Sequence, residues 1–306
     1  MATKNGLLLS LEGIDFTWKT PFSEWLLKDC SEKMSEIVIT RDPPYKLAPW
    51  NHYKEFFERS KEVFPLAETM MLLAARLDNF KRWIEPAISR GALIISDRYI
   101  DSWLAYQSIR LSDYFEKGSE KALDFLLKLN QEMIRRNFLM MPDLTILISD
   151  NPEKTIQRKN TEKEVSKYDE LHIQQRVHEQ YEILARLYPE RIVVVDVEGK
   201  NIFEGYEMVK VVVFTWLHCS EIEGKIFPSV ETIKPGQRVM ALRTLSWTIG
   251  KFDDYPLIVM PGDKGTIKST EEATNIIVEW DKDEFKNLNK AVNLKSEERF
   301  SCLILP

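Results

Sequence analysis

The chain has 306 residues, 44% of them hydrophobic and 29% charged, with a formal net charge of −6. This is the make-up of an ordinary globular protein, long enough for one large domain and a small one. The negative balance argues against a protein that coats nucleic acid, because such affinity rests on neutralised phosphates, but it leaves room for a local basic pocket. Cys30, Cys219 and Cys302 are widely spaced and match no zinc-ligand pattern, which reads as reduced thiols in a cytoplasmic protein. The apolar run at residues 7–11 is far too short to span a membrane.

Five runs rich in Ile, Val and Leu lack polar alternation. They are residues 6–12 (GLLLSLE), 36–40 (EIVIT), 92–96 (ALIIS), 143–149 (DLTILIS) and 191–196 (RIVVVD). Continuous apolar runs suit strands buried on both faces, as in a parallel sheet. Helical patterns lie between them, at residues 66–88, on a stripe made by Leu123, Leu126, Leu127 and Ile134, and at residues 170–187. The alternation predicts a three-layer α/β domain with a five-stranded parallel sheet over residues 1–220. Past residue 225 the texture changes. Turn signals at residues 234–236 (KPG) and 261–263 (PGD) separate short strand-like runs at 238–242, 256–260, 265–267 and 275–280. That spacing predicts a small SH3-like β-barrel over residues 226–306.

The first run leads into Gly13-Ile14-Asp15-Phe16-Thr17-Trp18-Lys19-Thr20. This has the spacing of a P-loop, G-x-x-x-x-G-K-[ST], with Trp18 in place of the last glycine. In such a loop backbone N–H groups and the following helix N-terminus cradle phosphate. The lysine reaches the β- and γ-phosphates, and the hydroxyl meets Mg²⁺. Lys19 and Thr20 supply the side chains, and Pro21 fits a first helical turn. Two outcomes are open for Trp18. Either the indole turns outward and ATP still binds, or the loop no longer holds a triphosphate productively.

A second constellation follows the third run: Ser96-Asp97-Arg98-Tyr99-Ile100-Asp101-Ser102-Trp103-Leu104-Ala105-Tyr106-Gln107. It resembles the thymidylate kinase signature, in which D-R-Y leads to S-x-x-A-Y. In the same order, residues 12–15 (EGID) resemble that family's E-G-x-D opening, residues 40–43 (TRDP) its T-R-E-P segment, and residues 68–76 (ETMMLLAAR) its E-x-L-L-F-A-A-D-R helix. The resemblance covers about the first 215 residues and implies Mg²⁺-ATP as donor and dTMP, or a related pyrimidine monophosphate, as acceptor. It implies that Arg98 bridges the phosphates of both nucleotides and that Asp97 sits near Mg²⁺ with Thr20. Arg41 would hold the acceptor phosphate and Asp15 would lie by the sugar hydroxyl. Arg76 would face the base beside Leu72, where the family has a stacking phenylalanine, and Ser102 and Tyr106 would line the acceptor site. The loop position that carries an arginine in some members is Phe16 here, so the closing cation is expected from a lid at residues 157–167, with Arg158 preferred.

The bottom-up chemistry points the same way. Phosphoryl transfer needs positioning and positive charge more than covalent help, and arginine forks match phosphate oxygens. Arg41 and Arg98 both follow strands, at the carboxyl ends where open α/β sheets bind ligands. The reading is a nucleoside monophosphate kinase, with a homodimer and a protein partner at the barrel as compatible associations. The competing reading is a kinase-derived nucleotide-binding protein with a regulatory role through its C-terminal barrel.

Overall fold

The structure is a computed structural model. It describes residues 6–44, 50, 63–158, 168 and 170–221, and beyond these the backbone of seven strands. The chain divides into two compact units, Met1–Ile192 with Asp196–Lys200, and Val193–Val195 with Asn201–Pro306.

The expected apolar runs form β1 (Leu7–Glu12), β2 (Ile37–Arg41), β3 (Leu93–Asp97), β4 (Leu144–Ser149) and β5 (Ile192–Asp196). Each lies within a residue or so of the run that announced it. They make one parallel sheet in the order β2-β3-β1-β4-β5. Leu7 pairs with Leu93 and Leu11 with Asp97, so β1 and β3 end level with each other. The inner strands are buried almost throughout, which is why their sequences show no polar alternation.

Among the described residues the α-helices are α1 (Lys19–Cys30), α2 (Pro65–Asn79), α3 (Glu85–Ser89), α4 (Ile100–Arg110), α5 (Gly118–Arg135), α6 (Pro152–Gln157), α7 (Leu171–Leu187) and α8 (Ile202–Glu221). A π-helical turn at Phe80–Ile84 joins α2 to α3, so the helical pattern expected at 66–88 is continuous with one wide turn in it. From β1 the chain crosses to β2 on one side, then returns through β3 to β4 and β5 on the other. With right-handed crossovers, that reversal puts α1 on one face of the sheet and the later connections on the other. The reversal point lies between β1 and β3, where such folds bind ligands.

In the C-terminal segment the turns expected at residues 234–236 and 261–263 lie outside the described residues, and the strands that follow them in sequence are β6 (Arg238–Ala241) and β9 (Lys264–Glu271). With β10 (Asn275–Trp280), β11 (Val292–Leu294) and β12 (Cys302–Leu305) they form an antiparallel sheet ordered β11-β10-β9-β6-β12. β7 (Leu245–Trp247) and β8 (Leu257–Val259) pair separately. Among the described residues no helix is long and apolar enough to cross a membrane.

Candidate active site

The site is built at the carboxyl ends of β1, β2 and β3. After β1 the chain turns through Gly13, at φ 137°, where a Cβ would collide with the Ile148 carbonyl oxygen; only glycine fits. Phe16 and Trp18 also take positive φ, 65° and 60°, winding the backbone into the concave path that turns N–H groups toward an anion. Trp18 is the N-cap of α1 and lies in the left-handed region that glycine normally supplies. Its half-buried indole packs on Phe22, with ring centroids 6.1 Å apart. The side chain that closes across the loop is Lys19. Its ammonium donates to the Ile14 carbonyl and, at 3.0 Å, to Thr17 Oγ1. Burial, with the Arg98 charge second, pulls the Lys19 pKa down to about 7.

Arg98 follows β3 directly, at φ 69°. One guanidinium nitrogen donates to the Gly13 carbonyl at 2.8 Å and to Ser102 Oγ at 3.1 Å. The other pairs with Asp15. Asp15 in turn accepts from Tyr106 Oη at 3.0 Å and from Gln174 Nε2 at 2.8 Å. Burial alone would raise the Asp15 pKa, but Arg98 and then Lys19 outweigh it and hold the carboxyl below its ordinary value. Arg98 is therefore tied at once to the loop after β1, through Gly13 and Asp15, and to Ser102 on α4.

Thr20 Oγ1 donates to Asp97 Oδ2 at 2.6 Å, and Arg41 Nη1 stands 3.8 Å from the same oxygen. Asp97 Oδ1 is buried without a hydrogen-bond partner among the described residues. A hydroxyl beside a carboxylate with a spare oxygen fits a hard divalent cation and its waters. The residues expected to hold Mg²⁺ are thus adjacent.

Arg76, expected to face the base, is fully buried, paired with Asp42, and lies over the rings of Tyr99 and Trp103 at 5.7 and 5.3 Å. Its Nη1 makes no hydrogen bond among the described residues. Leu72 is half-buried one turn earlier on α2. Arg158, at the end of α6, lies against the phosphate loop and over the Trp18 ring. Of the expected lid, residues 159–167 lie outside the described residues.

Several residues not singled out from the sequence hold the others in place. Glu12 accepts the Tyr99 N–H at 2.7 Å and the Ser102 hydroxyl, so it caps the start of α4. Burial, then Asp101, lifts its pKa to about 7. Tyr181 meets Ser102 at 2.7 Å, Gln174 also accepts the Asp15 N–H at 2.9 Å, and Asp42 neutralises Arg76. Glu12 and Asp42 stood inside motifs already read, the EGID and TRDP segments. Gln174 and Tyr181 lie on α7, 159 residues from Asp15 and 79 residues from Ser102 respectively, with no local signal.

The comparisons with known proteins agree with this geometry. The family model for thymidylate kinase matches residues 11–204. A "Probable thymidylate kinase" of Methanococcoides burtonii is 33% identical over 193 residues, covering 63% of this chain and 89% of that protein. One of Methanosarcina barkeri is 32% identical over 205 residues, covering 67% and 95%. Among solved structures, thymidylate kinase from Candida albicans superposes with a TM-score of 0.55 at 23% identity, covering 69% of this chain and 92% of that one. That from Ehrlichia chaffeensis gives 0.51 at 22%, covering 68% and 99%. With the family model spanning well over half its length, and the P-loop, the D-R-Y arginine and their joining hydrogen bonds all in place, the chain belongs to the thymidylate kinase family of P-loop transferases.

Proposed function

We propose that this chain transfers the γ-phosphoryl group of Mg²⁺-ATP to a deoxypyrimidine nucleoside monophosphate, with dTMP as first choice, in the cytoplasm. The observation that carries this is Arg98: one fork arm is on the Gly13 carbonyl at 2.8 Å and the other on Asp15. A cation so placed lies between donor loop and acceptor wall, where the transferred group passes. In this reading Lys19 leaves Ile14 and Thr17 to hold the β- and γ-phosphates, and phosphate charge restores its proton. Thr20 and Asp97 hold Mg²⁺, which when bound supplies positive charge across the two terminal phosphates. Arg41 takes the acceptor phosphate. Asp15, oriented by Tyr106 and Gln174, receives the sugar hydroxyl, and the spare Nη1 donor of Arg76 reads the base edge. Leu72 leaves more room at the base than the phenylalanine usual in the family and extends the acceptor range toward modified pyrimidines.

The alternative is a nucleotide-binding protein of weak turnover that acts through its C-terminal segment. Residues 1–220 would then be the nucleotide domain and 226–306 a small barrel contacting a protein. Its motivating observation is Trp18, a tryptophan in a glycine conformation. A coupled assay of ADP release over dTMP, dUMP, UMP and dCMP separates the two. The proposal expects dTMP to turn over fastest and UMP poorly, because Tyr106 borders the sugar. ATP binding with no ADP release from any acceptor would favour the alternative.

A further inference from the structure

A tryptophan at φ 60° and ψ 17° holds a conformation that glycine adopts freely and L side chains avoid. Contacts of the indole must offset that strain. One is Phe22; the other is Arg158, whose guanidinium carbon lies 4.0 Å from the Trp18 ring centroid. Arg158 is only 26% exposed and pairs with the fully buried Asp150 carboxylate at 2.5 Å. It also donates to the Phe16 carbonyl at 3.4 Å. Its head group is thus clamped between an aromatic face, a buried carboxylate at the end of β4, and a carbonyl of the phosphate loop itself. Lys19 and Arg98 bring charge to the same loop from Thr17 and Gly13. Arg158 is a further cation held against it, and Phe16, where the loop could carry an arginine, is uncharged.

We propose that Trp18 is a positioning residue for Arg158: the indole face holds the guanidinium at the phosphate loop, so that the donor's phosphates meet a cation already in place. Glycine at this position would relieve the backbone but lose the face. Leucine would keep bulk without the π-cloud, and phenylalanine would keep a face. The inference rests on the reading of the loop as an ATP site and changes the meaning of the missing glycine, from a defect to a means of fixing a cation.

The test is a double-mutant cycle on the full chain. Mg²⁺-ATP affinity is measured by calorimetry for wild type, Trp18→Leu, Trp18→Phe, Arg158→Gln and the Trp18→Leu/Arg158→Gln pair, with dTMP turnover followed in parallel. Trp18→Leu and Arg158→Gln should each weaken ATP about tenfold, and Trp18→Phe should stay within about threefold. The pair should bind no worse than Arg158→Gln alone. Equal losses from Trp18→Leu with and without Arg158, or no loss at all, would overturn the proposal. If Trp18→Leu does not fold, Trp18→Gly takes its place in the cycle, and tighter ATP binding by Trp18→Gly would be equally fatal. Coupled binding without turnover would sink only the kinase activity, whereas a wild type that binds no ATP would sink both readings.

Discussion

Lys19 is a buried cation with a second cation, Arg98, beside it, and its pKa near 7 follows from that placement. Above pH 7 it is largely neutral until phosphate arrives. ATP binding near pH 8 should therefore take up about one proton, and affinity should fall as pH rises beyond 7. Calorimetry in two buffers of different protonation enthalpy measures this directly; an identical heat in both would mean that the lysine was charged from the start. The same depression governs stability. The unfolded chain, with Lys19 near its ordinary 10.5, binds more protons than the folded one between pH 7 and 10.5, so this residue's contribution to stability rises with pH across that window. Glu12 acts in the opposite sense. Its folded pKa near 7 lies above the ordinary 4.5, so the folded chain binds the extra proton, and stability from Glu12 is lost as pH rises through that interval. Lys19, Thr20, Asp97 and Arg98 were legible because their neighbours in sequence form a motif. Gln174 and Tyr181 were not, because their relation to Asp15 and Ser102 exists only after α7 has packed.

At the scale of elements, α4 decides the geometry of the proposed acceptor wall. Residues Ile100 to Ile109 are all buried, and α4 carries Ser102 and Tyr106. Its first turn is pinned twice. Glu12 receives Tyr99 and Ser102, while Asp101 takes a two-pronged hydrogen bond from Arg191, both at 2.7 Å. Both members of that ion pair are buried, so removing one strands the other. Arg191→Met should destabilise the protein by about 3–5 kcal/mol and loosen α4, whereas the double change Arg191→Met with Asp101→Leu should recover much of the loss. Denaturant titration of the three proteins checks this, and a single mutant as stable as wild type would contradict it. The strands of this sheet were legible to within a residue or so, because burial on both faces demands apolar runs. α4 was not recognised as a helix, since it is buried all round and shows no amphipathic stripe. α8 was missed for another reason: the nearly unbroken apolar run at residues 211–217 masks its period, although Phe203 and Val211 stand exposed. α6 is six residues long and too short to show one.

For the whole molecule, the parallel sheet is complete at Asp196, and each phosphate-site residue named above precedes that point. Deleting residues 226–306 is therefore expected to leave a soluble protein with near-native ATP affinity, as measured by calorimetry on the truncated chain. Aggregation or loss of binding would show that the C-terminal segment belongs to the nucleotide-binding core, and the proposed boundary would fall. That segment was readable only in outline. Its Pro-Gly signals precede strands in sequence, but β7, β11 and β12 are three or four residues long and give no alternation to detect.

The central claim is phosphoryl transfer through a loop that carries Trp18 and an arginine that bridges two sites. Direct measurement of dTDP formed from dTMP and Mg²⁺-ATP, by wild type and by Arg98→Ala, tests it most plainly. Wild type should form dTDP, and folded Arg98→Ala, checked by circular dichroism, should lose about 100-fold or more in turnover. A folded Arg98→Ala protein with unchanged dTDP formation would contradict the assignment.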